Sequence, residues 1–381
     1  MWVVVSNRSH ERLVTASFIC GRRSLSAVYL LELAGDDDAF ARREAASRGS
    51  AVELLAPGLA TARGVRRAET LAYTRRVCRL IGTCDPAVED AVAVLKAATI
   101  SRSGMSEPAG SGSDAGGDAT RGTVAVRARD VRGRTGIDTQ AVERRLGSVL
   151  VDRGFEVDLD DPDHTLVALF SDTAALGWLE CETRRDFGER QPTDKPFFQP
   201  GSMDPMDARA LANIAGAGPD ARLLDPMCGT GGILVEAGLA GSDVVGVDAQ
   251  EKMARGARKN LDHYLDGGEV VRADATRLPF GDESFDGRES SDDSRARKGA
   301  KRPFDGVVFD APYGRQSKIE SVSLEELVGD ALAEVRRVAP RAVLVADRPW
   351  NEAAEAAGWT VESRFDRRVH RSLVRYVHVL E

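Results

Sequence analysis

Apolar positions in the carboxyl-terminal half fall into short runs separated by longer segments of helical period. Arg222–Asp225, Val244–Asp248, Glu269–Ala273, Gly306–Asp310 and Ala342–Ala346 read as strands. Runs this short and this apolar suit parallel strands covered on both faces. Between them, Asp207–Ala217, Ile233–Leu239, Gln250–Leu265 and Leu324–Val338 read as helices, with Met253, Ala257, Leu261 and Leu265 four apart on one face. Two strands, around Val361 and over Val374–Val379, end the pattern. The alternation predicts a doubly wound α/β sheet over 201–381.

The amino-terminal half is patterned differently. Trp2–Val5, Ala27–Ala34 and Ala51–Leu55 read as strands and Asp36–Arg48 as a helix, which predicts a small unit over 1–75. A second unit is expected over 76–185. Ala87–Ala98 is an amphipathic helix there, and Thr123–Ala128 an alternating strand. Thr139–Asp152 is a helix capped by Asp138 or Thr139, with Val142, Leu146, Val149 and Leu150 on one face. Residues 101–122 are too polar and glycine-rich to pack, and read as a disordered insertion. Residues 186–200 hold three prolines and little periodicity, the mark of a linker. Phe197, Phe198 and the Pro200-Gly201 turn are expected to dock it onto the carboxyl-terminal domain. The charged, serine-rich 287–302 reads as a flexible surface insertion.

Composition narrows the classes. The chain has 381 residues and a net charge of −8, and of its 52 basic residues only seven are lysine. Such a balance fits a chain that works in high salt or is encoded by a GC-rich genome. It does not exclude nucleic acid, but it confines any contact to a local basic patch. One such patch is visible: Arg121, Arg127, Arg129, Arg132, Arg134, Arg144 and Arg145 face only Asp130, Asp138 and Glu143. RNA contact is expected of Arg127, Arg129, Arg132, Arg134 and Lys195; the competing reading is a solvated arginine-rich surface. The five cysteines form no CxxC pair and no zinc-type cluster with histidine, so reduced thiols and no metal are expected. No stretch reaches the length of a membrane span, and Asn7, Arg8, His10, Glu11 and Arg12 break any signal-peptide pattern. A cytoplasmic protein without a membrane partner is the expectation.

The chemistry gathers at strand ends. Asp225-Pro226-Met227-Cys228-Gly229-Thr230-Gly231-Gly232 joins the first strand of the sheet to its helix. Its glycines permit a tight turn and close approach of a ligand to the backbone, so Cys228, Gly229 and Gly231 are candidate contacts. It is neither a dinucleotide fingerprint nor a phosphate loop, and Asp225 would repel phosphate while suiting an amine. Asp248 ends the second strand, where a carboxylate can accept both ribose hydroxyls. Asp274, followed by Ala275, ends the third and is placed to accept from an adenine amine. The set describes adenosine joined to an amino acid, which is S-adenosylmethionine. On the fourth strand, Asp310-Ala311-Pro312-Tyr313 offers a carboxylate, backbone carbonyls and an aromatic ring, suited to a flat group with an exocyclic amine.

Residues 201–381 resemble a class I methyltransferase of the amino-methylating kind, with Asp310-Ala311-Pro312-Tyr313 matching its Asp-Pro-Pro-Tyr signature. Together with Phe197–Met203, Asp225–Gly232 and the basic middle unit, the chain resembles the archaeal tRNA guanine-N2 methyltransferases that act at position ten. The resemblance implies a ferredoxin-like α+β domain at 1–75, an RNA-binding THUMP domain at 76–185, a linker at 186–200 and the catalytic domain at 201–381. It implies tRNA as partner and one or two methyls added to the guanine N2. It leaves open a small activating protein, hence a monomer or a heterodimer. In this reading Asp310 and the carbonyl of Ala311 or Pro312 accept the amine hydrogens, and Tyr313 stacks on the flipped base. Ala311 departs from the signature, where proline is usual, so a less rigid turn is expected. The rival readings are a DNA or other RNA amino-methyltransferase and a non-catalytic RNA-binding protein.

Overall fold

The computed structural model of the chain describes residues 27–100, 122–281, 302–312, 323–371 and 373–381. Trp2–Val5, Tyr313 and nearly all of the two expected insertions lie outside the described residues. The chain divides into two compact units, Met1–Arg184 and Arg185–Glu381.

The first unit is built on one sheet. Its strands are β1 (Val28–Leu33), β2 (Ser50–Ala56), β3 (Leu59–Arg63), β4 (Thr74–Cys84), β5 (Thr123–Asp130), β6 (Glu156–Val157), β7 (His164–Phe170) and β8 (Ala174–Glu182). Among the described residues they run in the order β2-β3-β1-β4-β8-β7-β5-β6. Three helices accompany them: α1 (Asp38–Ala45), α2 (Val88–Ala97) and α3 (Thr139–Val151). Asp37 caps α1 by accepting from Phe40 N at 3.0 Å, and Asp138 caps α3 by accepting from Ala141 N at 3.0 Å. The apolar face read for α3 is the buried one: Val142, Leu146, Val149 and Leu150 pack against β5 and β7 side chains.

The division expected at residue 75 meets no break in this sheet. β4 runs through that position and pairs antiparallel with β1 on one edge and with β8 on the other. β4 was illegible because two register irregularities interrupt its alternation, between Val77 and Cys78 and between Leu80 and Gly82. The sheet also buries a carboxylate. Glu32 on β1 is 1% exposed and is held by Arg76 and Arg129, each at 3.0 Å.

The second unit contains α4 (Pro205–Ile214), β9 (Arg222–Asp225), α5 (Gly232–Leu239), β10 (Asp243–Asp248), α6 (Glu251–Tyr264) and β11 (Glu269–Arg272). It continues with β12 (Gly306–Asp310), α7 (Leu324–Val338), β13 (Ala342–Ala346), α8 (Asn351–Ala356), β14 (Val361–His370) and β15 (Leu373–Leu380). The sheet order is β11-β10-β9-β12-β13-β15-β14, parallel except for the terminal hairpin β14–β15. The order reverses beside β9, which places a crevice at the carboxyl ends of β9, β10 and β12. Both faces are covered, as the apolar runs demand. Leu224, Val245, Val247, Val307 and Phe309 pack with α7 on one face, while Leu223 and Val244 pack with α5 and α6 on the other.

Residues 186–200, expected as a linker, are part of this compact unit. Phe197 lies against Gly256 of α6, where any side chain would strike its ring. Asn260 clamps the same residue: its Oδ1 accepts from Phe197 N at 2.8 Å and its Nδ2 donates to Phe197 O at 2.8 Å. Nδ2 also donates to Thr230 O at 2.8 Å, so one buried amide ties this segment to the glycine turn. Phe198, expected to dock as well, is 41% exposed. Only every second side chain of an extended segment can face the surface beneath it. Replacing Asn260 by alanine leaves three backbone groups without their partner. The expected result is a loss of about 1–3 kcal/mol in the urea denaturation of the full chain. A midpoint equal to wild type would show the clamp to be incidental.

Candidate active site

Parallel pairing brings the carboxylates together. β9 lies between β10 and β12, so Asp225, Asp248 and Asp310 end three adjacent strands. Asp225 is 2% exposed, and its Oδ1 accepts from Met227 N at 3.0 Å. Burial pushes its carboxyl well above the usual range, and the charges of Asp310 and Asp248 push the same way against that one hydrogen bond. Asp248 accepts from Gln250 N at 2.8 Å and from Gly229 N at 3.0 Å. Its carboxyl is raised too, burial outweighing both bonds. Asp274 follows β11 and is exposed; its Oδ1 accepts from the Thr276 amide and hydroxyl, both at 2.9 Å. Asp310 faces Arg375 of β15, with Nη2 3.8 Å from its Oδ2. Sequence reasoning had no means of finding Arg375, because it lies 65 positions away on a strand whose pairing only the fold reveals.

The turn after β9 divides into contact and packing positions. Gly229 has φ +52°, and a side chain there would meet nothing within 4 Å, so its outer face is open to a ligand. Gly231 has φ +74° and caps α5; a Cβ there would come within 2.9 Å of Leu261, so this glycine serves helix packing. Ala275 is buried beside Asp274. Cys228 needs correction as a candidate contact. Its thiol is 6% exposed in the core with Leu223, Leu234 and Val244, under the space that Gly246 leaves open. Its N–H donates to Val247 O at 2.9 Å and its carbonyl accepts from Gly231 N at 2.7 Å. The apolar surroundings keep the thiol protonated.

Ala311 is 3% exposed, and its N–H donates to Val345 O at 2.8 Å. A proline has no N–H and could not make that bond. The residue that departs from the signature is therefore tied to β13 by a contact the signature residue lacks. With its N–H taken, what Ala311 can offer an acceptor substrate is its carbonyl.

The residues expected to contact RNA are differently placed. Arg129 pairs with Glu32 at 3.0 Å, Arg132 with Asp38 at 2.5 Å and Arg134 with Asp172 at 2.7 Å. Arg127 donates to Leu159 O at 2.7 Å. Arg127, Arg129, Arg132 and Arg134 are exposed, and the last three are paired with carboxylates of their own unit. Lys195 requires correction as a surface contact: it is 6% exposed and packed beside Gly232. Burial lowers its pKa. Glu236 is fully buried and paired with Arg190 at 2.7 Å and Arg209 at 2.8 Å.

A buried acid flanked by two others, an open glycine face and an exposed acid one strand further on fit a ligand carrying an ammonium, hydroxyls and an amine. The fold and this site define a class I methyltransferase dependent on S-adenosylmethionine. Residues 192–288 match the RMKL-like methyltransferase domain family. The tRNA (guanine(10)-N2)-dimethyltransferase of Methanothermobacter thermautotrophicus is 33% identical over 270 residues, 68% of this chain and 74% of that protein. The protein of the same name from Pyrococcus abyssi is 32% identical over 269 residues, again 68% and 74% of the two chains. The chain belongs to the tRNA (guanine(10)-N2)-dimethyltransferase family. Among solved structures, TrmN from Thermus thermophilus aligns over 93% of this chain and 99% of its own, with 24% identity and a TM-score of 0.44.

Among the described residues no helix is long and apolar enough to cross a membrane, and no cluster of His, Cys, Asp and Glu could hold a metal ion.

Proposed function

We propose that this enzyme methylates the exocyclic N2 of the guanine at position ten of tRNA, and that Asp310 holds that amine. The observation that carries the assignment is the adjacency of Asp310 to Asp225 across the ends of β12 and β9, which sets an amine acceptor beside the cofactor acids. Bound S-adenosylmethionine supplies an electrophilic methyl group. Asp225 would hold its ammonium, Asp248 the ribose hydroxyls and Asp274 the adenine amine. Gly229, whose outer face is open, would let the amino-acid end approach the backbone, and Ala275 would line the site beside Asp274.

The N2 lone pair of guanine is delocalised into the ring, so the amine is a weak nucleophile. Two acceptors, the Asp310 carboxylate and the carbonyl of Ala311 or Pro312, take its hydrogens and turn the lone pair toward the methyl group. Asp310 then receives the proton released from N2 or passes it to water. Arg375, with Nη2 3.8 Å from Oδ2, stands where it can orient Asp310 for that role. The amino-terminal unit is the tRNA reader in this proposal, with the ferredoxin-like and THUMP folds sharing one sheet. A cytoplasmic enzyme is part of this proposal, in keeping with a tRNA substrate.

The test is mass spectrometry of tRNA from a strain lacking the gene. Loss of N2-methylated guanosine at position ten is the expected outcome, and unchanged modification there overturns the proposal. The purified chain assayed on tRNA and on duplex DNA separates the reading from a DNA amino-methyltransferase. Adding cell extract to the same assay shows whether a small activating protein is needed.

A further inference from the structure

The acceptor site presents an electrostatic difficulty. Three carboxylates meet at its floor, and the substrate that must approach them is a polyanion. Some cation must stand at the same edge of the sheet to bring phosphates within reach. Within the catalytic unit, that cation has to come from the unit's own residues.

The terminal hairpin supplies it. Ala346 ends β13 and pairs with Tyr376 of β15, while Asp310 of β12 pairs with Val345. β15 is antiparallel, so the residues that precede Tyr376 continue past the carboxyl edge of the sheet, where Asp310 lies. Arg375 touches Asp310 from that position. The hairpin carries Arg364, Arg367, Arg368, Arg371 and Arg375 against Asp366 within residues 364–375. Three of these arginines are turned inward or paired: Arg364 with Asp366 at 3.1 Å, Arg367 with Asp207 at 2.8 Å, and Arg375 with Asp310. Arg368 and Arg371 are exposed and have no hydrogen bond or ion pair among the described residues. The ladder shifts register between Arg368 and His370, a bulge of the kind that re-aims side chains near the end of a strand.

We propose that the β14–β15 hairpin is the RNA clamp of the catalytic unit, in which Arg368 and Arg371 bind the phosphates that flank the target nucleotide. The inference rests on the RNA substrate proposed above and assigns the contact to this hairpin. Guanidinium groups suit it, because each can meet a phosphate through two parallel hydrogen bonds. With its backbone held at the rim, the base can leave its stack and enter between Asp310 and the cofactor.

The experiment measures tRNA affinity of the full chain across a potassium chloride series. For Arg368→Ala/Arg371→Ala, tRNA Kd is expected to rise roughly tenfold at low salt, the scale of two exposed charge contacts. The slope of log K against log salt should become shallower by about 1.5. Cofactor Kd, read by calorimetry, should stay at the wild-type value, and Arg368→Lys/Arg371→Lys should restore much of the slope. Unchanged tRNA affinity and slope, with a wild-type chain that methylates tRNA, would sink the clamp alone. A wild-type chain that neither binds nor methylates tRNA would overturn the proposed function, and the clamp with it.

Discussion

Asp310→Ala is expected to lower the rate of methyl transfer to tRNA by roughly 10²- to 10³-fold, the usual cost of removing an oriented acceptor at the reacting group. Cofactor affinity should change little, because Asp310 faces the acceptor side of the site. Single-turnover transfer of a labelled methyl group, with enzyme in excess over tRNA, reads the chemical step without product release. Near-wild-type turnover would remove the basis for the role given to Asp310. One control is needed. The variant leaves Arg375, whose side chain is 8% exposed, without a carboxylate it now faces at 3.8 Å. A denaturation curve must therefore accompany the rate, and Asp310→Asn, which keeps the shape but not the charge, separates a loss of packing from a loss of chemistry.

Asp225→Asn should have two effects of opposite value. In the folded protein, burial and the neighbouring Asp310 and Asp248 hold the Asp225 carboxyl above its unfolded pKa. The folded state then binds more protons than the unfolded state between those two pKa values. Stability therefore falls as pH rises through that window. Asparagine carries no charge and can still accept from Met227 N. It is expected to raise stability at neutral pH by about 1–3 kcal/mol, the scale of one relieved buried polar group. It should also flatten the acid limb of the stability profile. Cofactor affinity should fall by roughly 10²-fold, because a buried ion pair with the ammonium can no longer form. Denaturation of the free chain and calorimetry with the cofactor check the two halves separately. A variant that is less stable at neutral pH, or one that binds cofactor as well as wild type, contradicts the assignment.

The two halves of the chain differed in how much could be read from sequence. In the second unit, buried strands carry unbroken apolar runs and end on charged residues, so β9, β12, α7 and β13 were read with the bounds they have. The acids Asp225, Asp248, Asp274 and Asp310 stood out because each follows such a run. In the first unit β4 and β8 did not stand out. Bulges break the period of β4, and arginines such as Arg76 and Arg79 sit inside it, paired with Glu32 and Glu180 of neighbouring strands. A charge in a strand reads as a surface residue until its partner is known.

The same blindness explains the errors at the site. Residue type and sequence neighbours point Lys195 to a surface and Cys228 to a ligand, whereas burial decides what each can touch. The arginine island looked free because its carboxylates, Glu32, Asp38 and Asp172, are far away in sequence. Asn260 and Arg375 carried no signal at all, since an isolated asparagine on a helix and an arginine in a basic stretch have many ordinary explanations.

Thr74–Cys84 also sets how the chain can be dissected. A fragment beginning at residue 76 would start inside that strand and bare the whole edge that Val28–Leu33 covers, an open template for pairing with other chains. A fragment ending at 75 would leave Val28–Leu33 with one neighbour and strand Glu32 without Arg76 and Arg129. The smallest portable piece of the amino-terminal region therefore runs to residue 184, and shuffling between relatives should place its junction there, not at the midpoint of a shared sheet.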